Sequence, residues 1–148
     1  MDAAKDLTTD FAFVSADVYE NIIHDFIKGE SGAILGIKKA ENIVSAYYYD
    51  DVGSKLSKFN EYIPCTISLE RIILNWSECD IYFWGFLHSH PLGYEKLSHS
   101  DLLYAVDFCT INKVNYMYML LFIPETKQLL GYKVFSNGLI TKTNIIIV

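Results

Sequence analysis

The stretch His88-Ser89-His90-Pro91-Leu92-Gly93-Tyr94-Glu95-Lys96-Leu97-Ser98-His99-Ser100-Asp101 follows directly on an apolar run over residues 81–87. Alternate side chains of a strand point to opposite faces, so a strand that continues through this junction projects His88 and His90 side by side. Two imidazoles on one face can grip one metal ion. Pro91 cannot donate to a sheet ladder and Gly93 loosens the backbone after it, which ends the strand and leaves the pair at its rim. Beyond the loop, Leu102, Ala105, Val106 and Cys109 form the stripe of an amphipathic helix with Ser98 as its cap. Ser98 and Asp101 share its first turn and can face the same point. Two histidines and a carboxylate give zinc three protein ligands and leave a fourth position for water, the arrangement of a hydrolytic rather than a structural site.

Upstream of this segment, residues 11–14 read as a short first strand, and Val18, Ile22 and Phe26 recur every four residues. That periodicity predicts an amphipathic helix over 17–28 with Gly29 as its stop. His24 lies off the apolar row and reads as a surface or half-buried histidine. Residues 31–37 and 42–49 are two apolar runs separated by a polar turn, a strand pair. Glu30 therefore sits where helix hands over to strand, and by itself is a solvated residue after a helix-ending glycine. Residues 50–61 are polar and predict a long flexible loop, with Phe59 and Tyr62 as aromatics that either line a binding surface or fold back onto the core. Ser68 is the expected cap of the next helix, whose stripe is Leu69, Ile72, Ile73 and Trp76. After the helix that Ser98 opens come three apolar runs, 114–123, 129–135 and 139–148, with Asn137-Gly138 as a hairpin signal between the last two. The closing apolar residues 145–148 suit an interior strand or an edge recruited into a dimer; the oligomeric state is left open. The order of elements implies a mixed α/β fold with helices packed on a mixed sheet.

A chain of 148 residues fits one domain, here 1–148, and can bury a core without disulfide or metal staples. Half of the residues are apolar, yet no apolar stretch reaches the roughly 18 residues of a membrane span. No membrane partner is expected. The first residues lack a basic start followed by an apolar core, so the expected location is the cytosol. A net charge of -6 with scattered lysines argues against a nucleic-acid partner. Cys65, Cys79 and Cys109 are odd in number with no C-x-x-C, and read as free thiols, Cys65 and Cys109 as small buried groups.

His88-x-His90, seven residues, Ser98, two residues, Asp101 resembles the signature of the JAMM metalloproteases, the MPN+ or JAB-domain family. Upstream, Glu30-Ser-Gly-Ala-Ile-Leu-Gly36 resembles the family's glutamate segment. The resemblance implies a three-layer αβα, cytidine-deaminase-like fold with a mixed sheet flanked by helices. It also implies Zn2+ as cofactor, with His88, His90 and Asp101 as metal ligands and Glu30 and Ser98 as catalytic groups. Zinc lowers the pKa of bound water towards about 7 and polarises a carbonyl. Glu30 can take the proton of that water and pass it to the leaving amine, and the Ser98 hydroxyl can donate to the oxyanion. The implied activity is hydrolysis of an amide after the C-terminal tail of a ubiquitin-like or sulfur-carrier protein, which is then the partner.

Each ligand also has a plainer reading: Asp101 and Ser98 as no more than a capping box, the paired histidines as a polar strand tip. Their conjunction with the right spacing and context favours the metal site. His99 should point away from it. A non-catalytic MPN-type scaffold is the first alternative, although such relatives usually lack the ligands that this chain keeps. A JAB peptidase acting on a cell-wall or other peptide is the second. A zinc nucleobase deaminase needs H-x-E and P-C-x-x-C, and neither is present.

Overall fold

Seven strands and four helices form among the residues described by the computed structural model, 10–27, 30–56 and 62–148. In chain order they are β1 (Asp10–Val14), α1 (Ala16–Asp25), β2 (Gly32–Lys38), β3 (Ile43–Tyr49), α2 (Asp51–Leu56) and α3 (Thr66–Glu78). Then come β4 (Ile81–Ser89), α4 (His99–Asn112), β5 (Tyr116–Ile123), β6 (Gln128–Phe135) and β7 (Ile140–Ile147). No helix among the described residues is long and apolar enough to cross a membrane.

The strands close into a barrel in the order β1-β3-β2-β4-β5-β6-β7, with β7 returning to β1. This corrects the expected three-layer αβα, deaminase-like sandwich. A layered sheet keeps two edges, whereas here the five residues of β1 run parallel to β7 from Asp10↔Thr143 to Val14↔Ile147. β1 also meets β3 at Phe13↔Ile43 and Val14↔Val44. The hydrogen bonds Val148 N–H to Val14 O (3.0 Å), Ala16 N–H to Val148 O (2.8 Å) and Ser15 N–H to Val44 O (2.9 Å) complete the seam. Pairing the first strand with the last satisfies backbone groups that an open sheet would leave at its edges. The closing run 140–147 is accordingly a barrel strand of this chain.

Strand alternation distributes the core. Ala33 and Leu35 of β2 join Val18 and Ile22 of α1 and Phe26 at its C-cap, with Leu87, Leu120 and Phe122 from β4 and β5. Ile34, on the other face of β2, joins Leu69 of α3, Ala105 and Cys109 of α4, and Phe86. Each such fully buried aliphatic or aromatic side chain contributes about 1.5–3 kcal/mol over its exposed state. Both faces of the central strands are therefore pinned, and a one-residue slip of β4 would exchange the two sets.

Helix boundaries follow the groups that satisfy their first amides. Ser15 caps α1 by accepting from Val18 N–H at 3.1 Å. The expected helix stop at Gly29 and the expected aromatic contact Phe59 lie outside the described residues. The polar stretch expected to be a loop carries α2, because buried Asp50 accepts from Gly53 N–H at 2.9 Å and starts that helix. α3 begins at Thr66, two residues before the Ser68 expected to cap it. The residue before the helix is Cys65, whose N–H donates to Asp50 Oδ2 at 2.9 Å, so a distant carboxyl sets the start and Ser68 falls in the first turn.

Candidate metal centre

β4 runs to Ser89, and the next amide, His90 N–H, still donates to Phe122 O of β5 at 3.0 Å. The extended backbone thus persists through both histidines and period two puts them on one face. α4 starts ten residues on from Ser89, at His99, with Ser98 as its N-cap. Ser98 Oγ accepts from Asp101 N–H at 3.1 Å, and Asp101 Oδ2 accepts from Ser98 N–H at 2.8 Å. The capping box and the candidate ligand are one carboxylate. By holding Oδ2 on the Ser98 amide, the cap aims Asp101 at the end of β4. His99 is exposed and outside the cavity, and His24 is exposed and paired with Asp25 at 3.1 Å.

The three side chains meet. His88 Nε2 lies 3.1 Å from His90 Nε2 and 3.0 Å from Asp101 Oδ1, and His90 Nε2 lies 3.3 Å from Asp101 Oδ2. A tetrahedral ion with bonds of about 2.0–2.1 Å keeps its donor atoms roughly 3.3 Å apart, so the cluster has the spacing of a coordination sphere. His90 Nδ1 is 2.9 Å from the Tyr94 carbonyl oxygen. A carbonyl only accepts, so Nδ1 carries the hydrogen and neutral His90 turns a lone pair at Nε2 towards the cluster. A lone pair facing a carboxylate oxygen is repulsive unless a proton or a cation lies between them. The donor set, two imidazoles and a carboxylate with one ring nitrogen held by a backbone carbonyl, suits a metal ion such as zinc. The group His88, His90 and Asp101 can therefore hold a metal ion.

Charge in the cluster is consistent with this. Burial works against ionisation of Asp101, but hydrogen bonds from His88 and His90 outweigh it and hold the carboxyl well below its usual range. Burial likewise opposes charge on His90, yet the bonds to Asp101 and to the Tyr94 carbonyl prevail and raise its pKa.

Glu30 reaches the same place by way of the sheet. The antiparallel pairing of β2 with β4 sets Gly32 opposite His88. One residue earlier, Ser31 N–H donates to Ser89 Oγ at 2.9 Å and Ser31 O accepts from Ser89 N–H at 3.0 Å. Glu30 is thereby tied to the rim that carries the histidines, and it lines a cavity of about 590 Å³ together with His88, His90, Ser98 and Asp101. All five residues expected to form the site are brought together. Burial raises the pKa of Glu30, offset in part by His90 and His88 and reinforced by Asp101. The Ser98 hydroxyl accepts from Asp101 N–H and keeps its own hydrogen for another acceptor.

Of two wall residues, Tyr104 was not legible in the sequence, and Tyr62 was one of the aromatics expected either to line a binding surface or to fold back onto the core. Tyr62 lines the cavity and packs so closely on Gly32 that a Cβ there would sit 2.0 Å from its ring, so only glycine fits. Its hydroxyl donates to Asp50 Oδ2 at 2.5 Å. Asp50 is fully buried and gathers Gly53 N–H, Cys65 N–H and this hydroxyl on one carboxyl. The sole sequence signal was an Asp three residues before a glycine in a polar stretch, too common to single out. Burial and the bond to Asp50 push the Tyr62 phenol far up, and burial with nearby Asp50 and Glu70 pushes Tyr104 up to about 12. Neither phenol ionises near neutral pH, so both serve as walls.

No protein-family model matches the sequence, and no curated protein matches it. Among solved structures the chain is similar to a protein from Desulfitobacterium hafniense determined in solution, with a TM-score of 0.69 at 14% identity over 93% of each chain. It is also similar to a JAB1/MPN domain protein from Archaeoglobus fulgidus, with a TM-score of 0.52 at 12% identity over 92% of this chain and 98% of that one. At such identities the likeness is one of fold. The chain has a JAB/MPN-like fold.

Proposed function

We propose that this chain is a zinc-dependent JAMM-type metallopeptidase that hydrolyses an amide following the extended C-terminal tail of a ubiquitin-like or sulfur-carrier protein. The observation that carries the reading is the triangle of His88 Nε2, His90 Nε2 and Asp101 carboxylate oxygens at 3.0–3.3 Å, with the His90 tautomer held by Tyr94. His88, His90 and Asp101 hold the metal. A zinc ion there supplies a water of lowered pKa and a Lewis acid for the scissile carbonyl. Glu30, with its raised pKa in the same cavity, accepts a proton at its carboxylate from the attacking water and delivers it to the leaving nitrogen. Ser98 Oγ–H donates to the carbonyl oxygen as that oxygen gains charge, while Oγ continues to accept from Asp101 N–H.

Support for a protein tail comes from the cavity mouth, where Tyr94 and Tyr104 line the space and are both exposed, 67% and 37%. Exposed aromatic surface beside a polar centre suits a macromolecular substrate. The deciding experiment incubates zinc-loaded protein with a panel of ubiquitin-like and sulfur-carrier fusions and reads cleavage by intact mass. Cleavage that disappears with a chelator and returns with zinc supports the proposal. Purified protein without stoichiometric zinc, together with no cleavage of any fusion, rejects it in favour of a scaffold.

A further inference from the structure

The Tyr94 carbonyl that orients His90 belongs to an exposed turn, and what holds that turn is on the far side of the site. Tyr94 N–H donates to Pro91 O at 3.1 Å, closing Pro91-Leu92-Gly93-Tyr94, and Gly93 at its third position has φ +96. That is a type II turn, whose third residue must take positive φ. Gly93 N–H donates to the Glu95 carboxylate at 3.0 Å. These bonds are internal to the loop. Pro91 to Tyr94 are all exposed, and a loop of this kind drifts unless something outside it fixes its position.

The external tie is Tyr132 of β6, whose hydroxyl donates to the Glu95 carbonyl. Among the described residues it makes the one hydrogen bond from β5, β6 or β7 to residues 91–97, and apolar Leu97 packs beneath the loop's far end. Tyr132 lies in β6 opposite Met119 and Lys142, so the strands on both sides fix its backbone. The chain of contacts runs from Tyr132 hydroxyl to Glu95 carbonyl, along one residue to Tyr94 carbonyl, and from there to His90 Nδ1.

We propose that Tyr132 is a positioning residue for the metal centre: by clasping the Glu95 carbonyl to the barrel it holds the Tyr94 carbonyl on His90 Nδ1, and so keeps Nε2 turned towards the metal. The inference rests on the metal-binding reading above. Outer groups that orient a metal-bound histidine typically change metal affinity by about 10- to 100-fold when removed, and Tyr132 acts through one intervening residue, so the low end of that range applies.

The test uses the full chain, Tyr132→Phe, which keeps the ring and removes only the hydroxyl, and Gly93→Ala, whose added methyl meets nothing within 4 Å and so strains the turn alone. Zinc affinity is measured by competition with a chromogenic chelator. The His90 tautomer is read in metal-free protein by nitrogen-15 imidazole NMR at a pH where the ring is neutral, and thermal unfolding of the metal-free protein is followed alongside. Both variants should bind zinc about 10-fold more weakly and lose the single Nδ1–H tautomer, with the metal-free melting temperature changed by only a few degrees. A merely structural role for Tyr132 would lower that temperature and leave the tautomer alone. Wild-type affinity and tautomer in Tyr132→Phe overturn the clasp. A wild-type protein that binds no zinc sinks the metal reading instead, and the tautomer comparison still decides whether the clasp exists.

Discussion

On the proposed metal-binding reading Asp101 carries two duties on two oxygens, and asparagine separates them. In Asp101→Asn the amide oxygen can keep the bond from Ser98 N–H that Oδ2 makes at 2.8 Å, so the cap survives. The amide nitrogen then replaces Oδ1, 3.0 Å from His88 Nε2, and presents a hydrogen where a metal would need an anionic lone pair. Stability of the metal-free protein should then change through the lost charge interaction with His88 and His90 and not through the cap, itself worth about 1 kcal/mol. Zinc at 100 times its dissociation constant stabilises a folded protein by about 2.7 kcal/mol. For a chain of this size each kcal/mol moves the melting temperature by roughly 2–4 °C, so wild-type protein should melt roughly 5–11 °C higher with zinc than with chelator. Asp101→Asn should lose that increment. Ser98→Ala should do the reverse, losing about 1 kcal/mol with the Oγ bond to Asp101 N–H while retaining the zinc increment. Calorimetry of the three proteins with zinc and with chelator checks this. A wild-type zinc increment in Asp101→Asn, or its absence in Ser98→Ala, would refute the division of labour.

Three further outcomes follow from the same site. Glu30→Gln should bind zinc stoichiometrically and lose at least about 100-fold in turnover of a cleavable fusion, because proton transfer is the only duty assigned to it; full activity would show that another base operates. Stability of the chelated protein should fall between pH 5 and pH 8.5. The raised pKa of His90 adds stability that is complete below its ordinary value of 6.5 and is lost as pH rises through the raised one, while the depressed Asp101 loses its contribution only in acid, below its ordinary 3.8. Urea titrations at the two pH values measure this, and added zinc should remove the decline because metal binding needs neutral imidazoles. Asp50→Ala leaves Gly53 N–H, Cys65 N–H and the Tyr62 hydroxyl without their common acceptor. Denaturant unfolding should register a loss of about 2–4 kcal/mol, and a loss below about 1 kcal/mol would mean that water replaces the carboxyl.

The strand and helix periods were legible because they record which side of each element meets the core. Val18, Ile22 and Phe26 mark α1, and the continuous apolar run before His88 marks a strand covered on both faces. The grouping of His88, His90 and Asp101 was legible for a related reason: the three lie on two elements joined by one short loop, so spacing carries most of the geometry. Asp50 was not legible, since a polar residue in a polar stretch says nothing about the phenol and the two amides that converge on it. Ser68 was misread as the cap for the same cause, its helix starting earlier, after a Cys65 amide held by a carboxyl fifteen residues upstream.

The amino-acid order by itself determined the local facts: two imidazoles on one strand face, a carboxylate on the first turn of the next helix, and a serine cap that aims it. Only the tertiary structure decided that the sheet closes, that Glu30 shares the histidines' rim, and that Tyr132 reaches the loop beside them. The first of these depends on Asp10–Val14 finding Thr143–Ile147, and the others on β2 and β6 lying beside β4 and β5. Strand pairing across long separations is selected by the free energy of the whole packed barrel, which no short stretch of residues encodes.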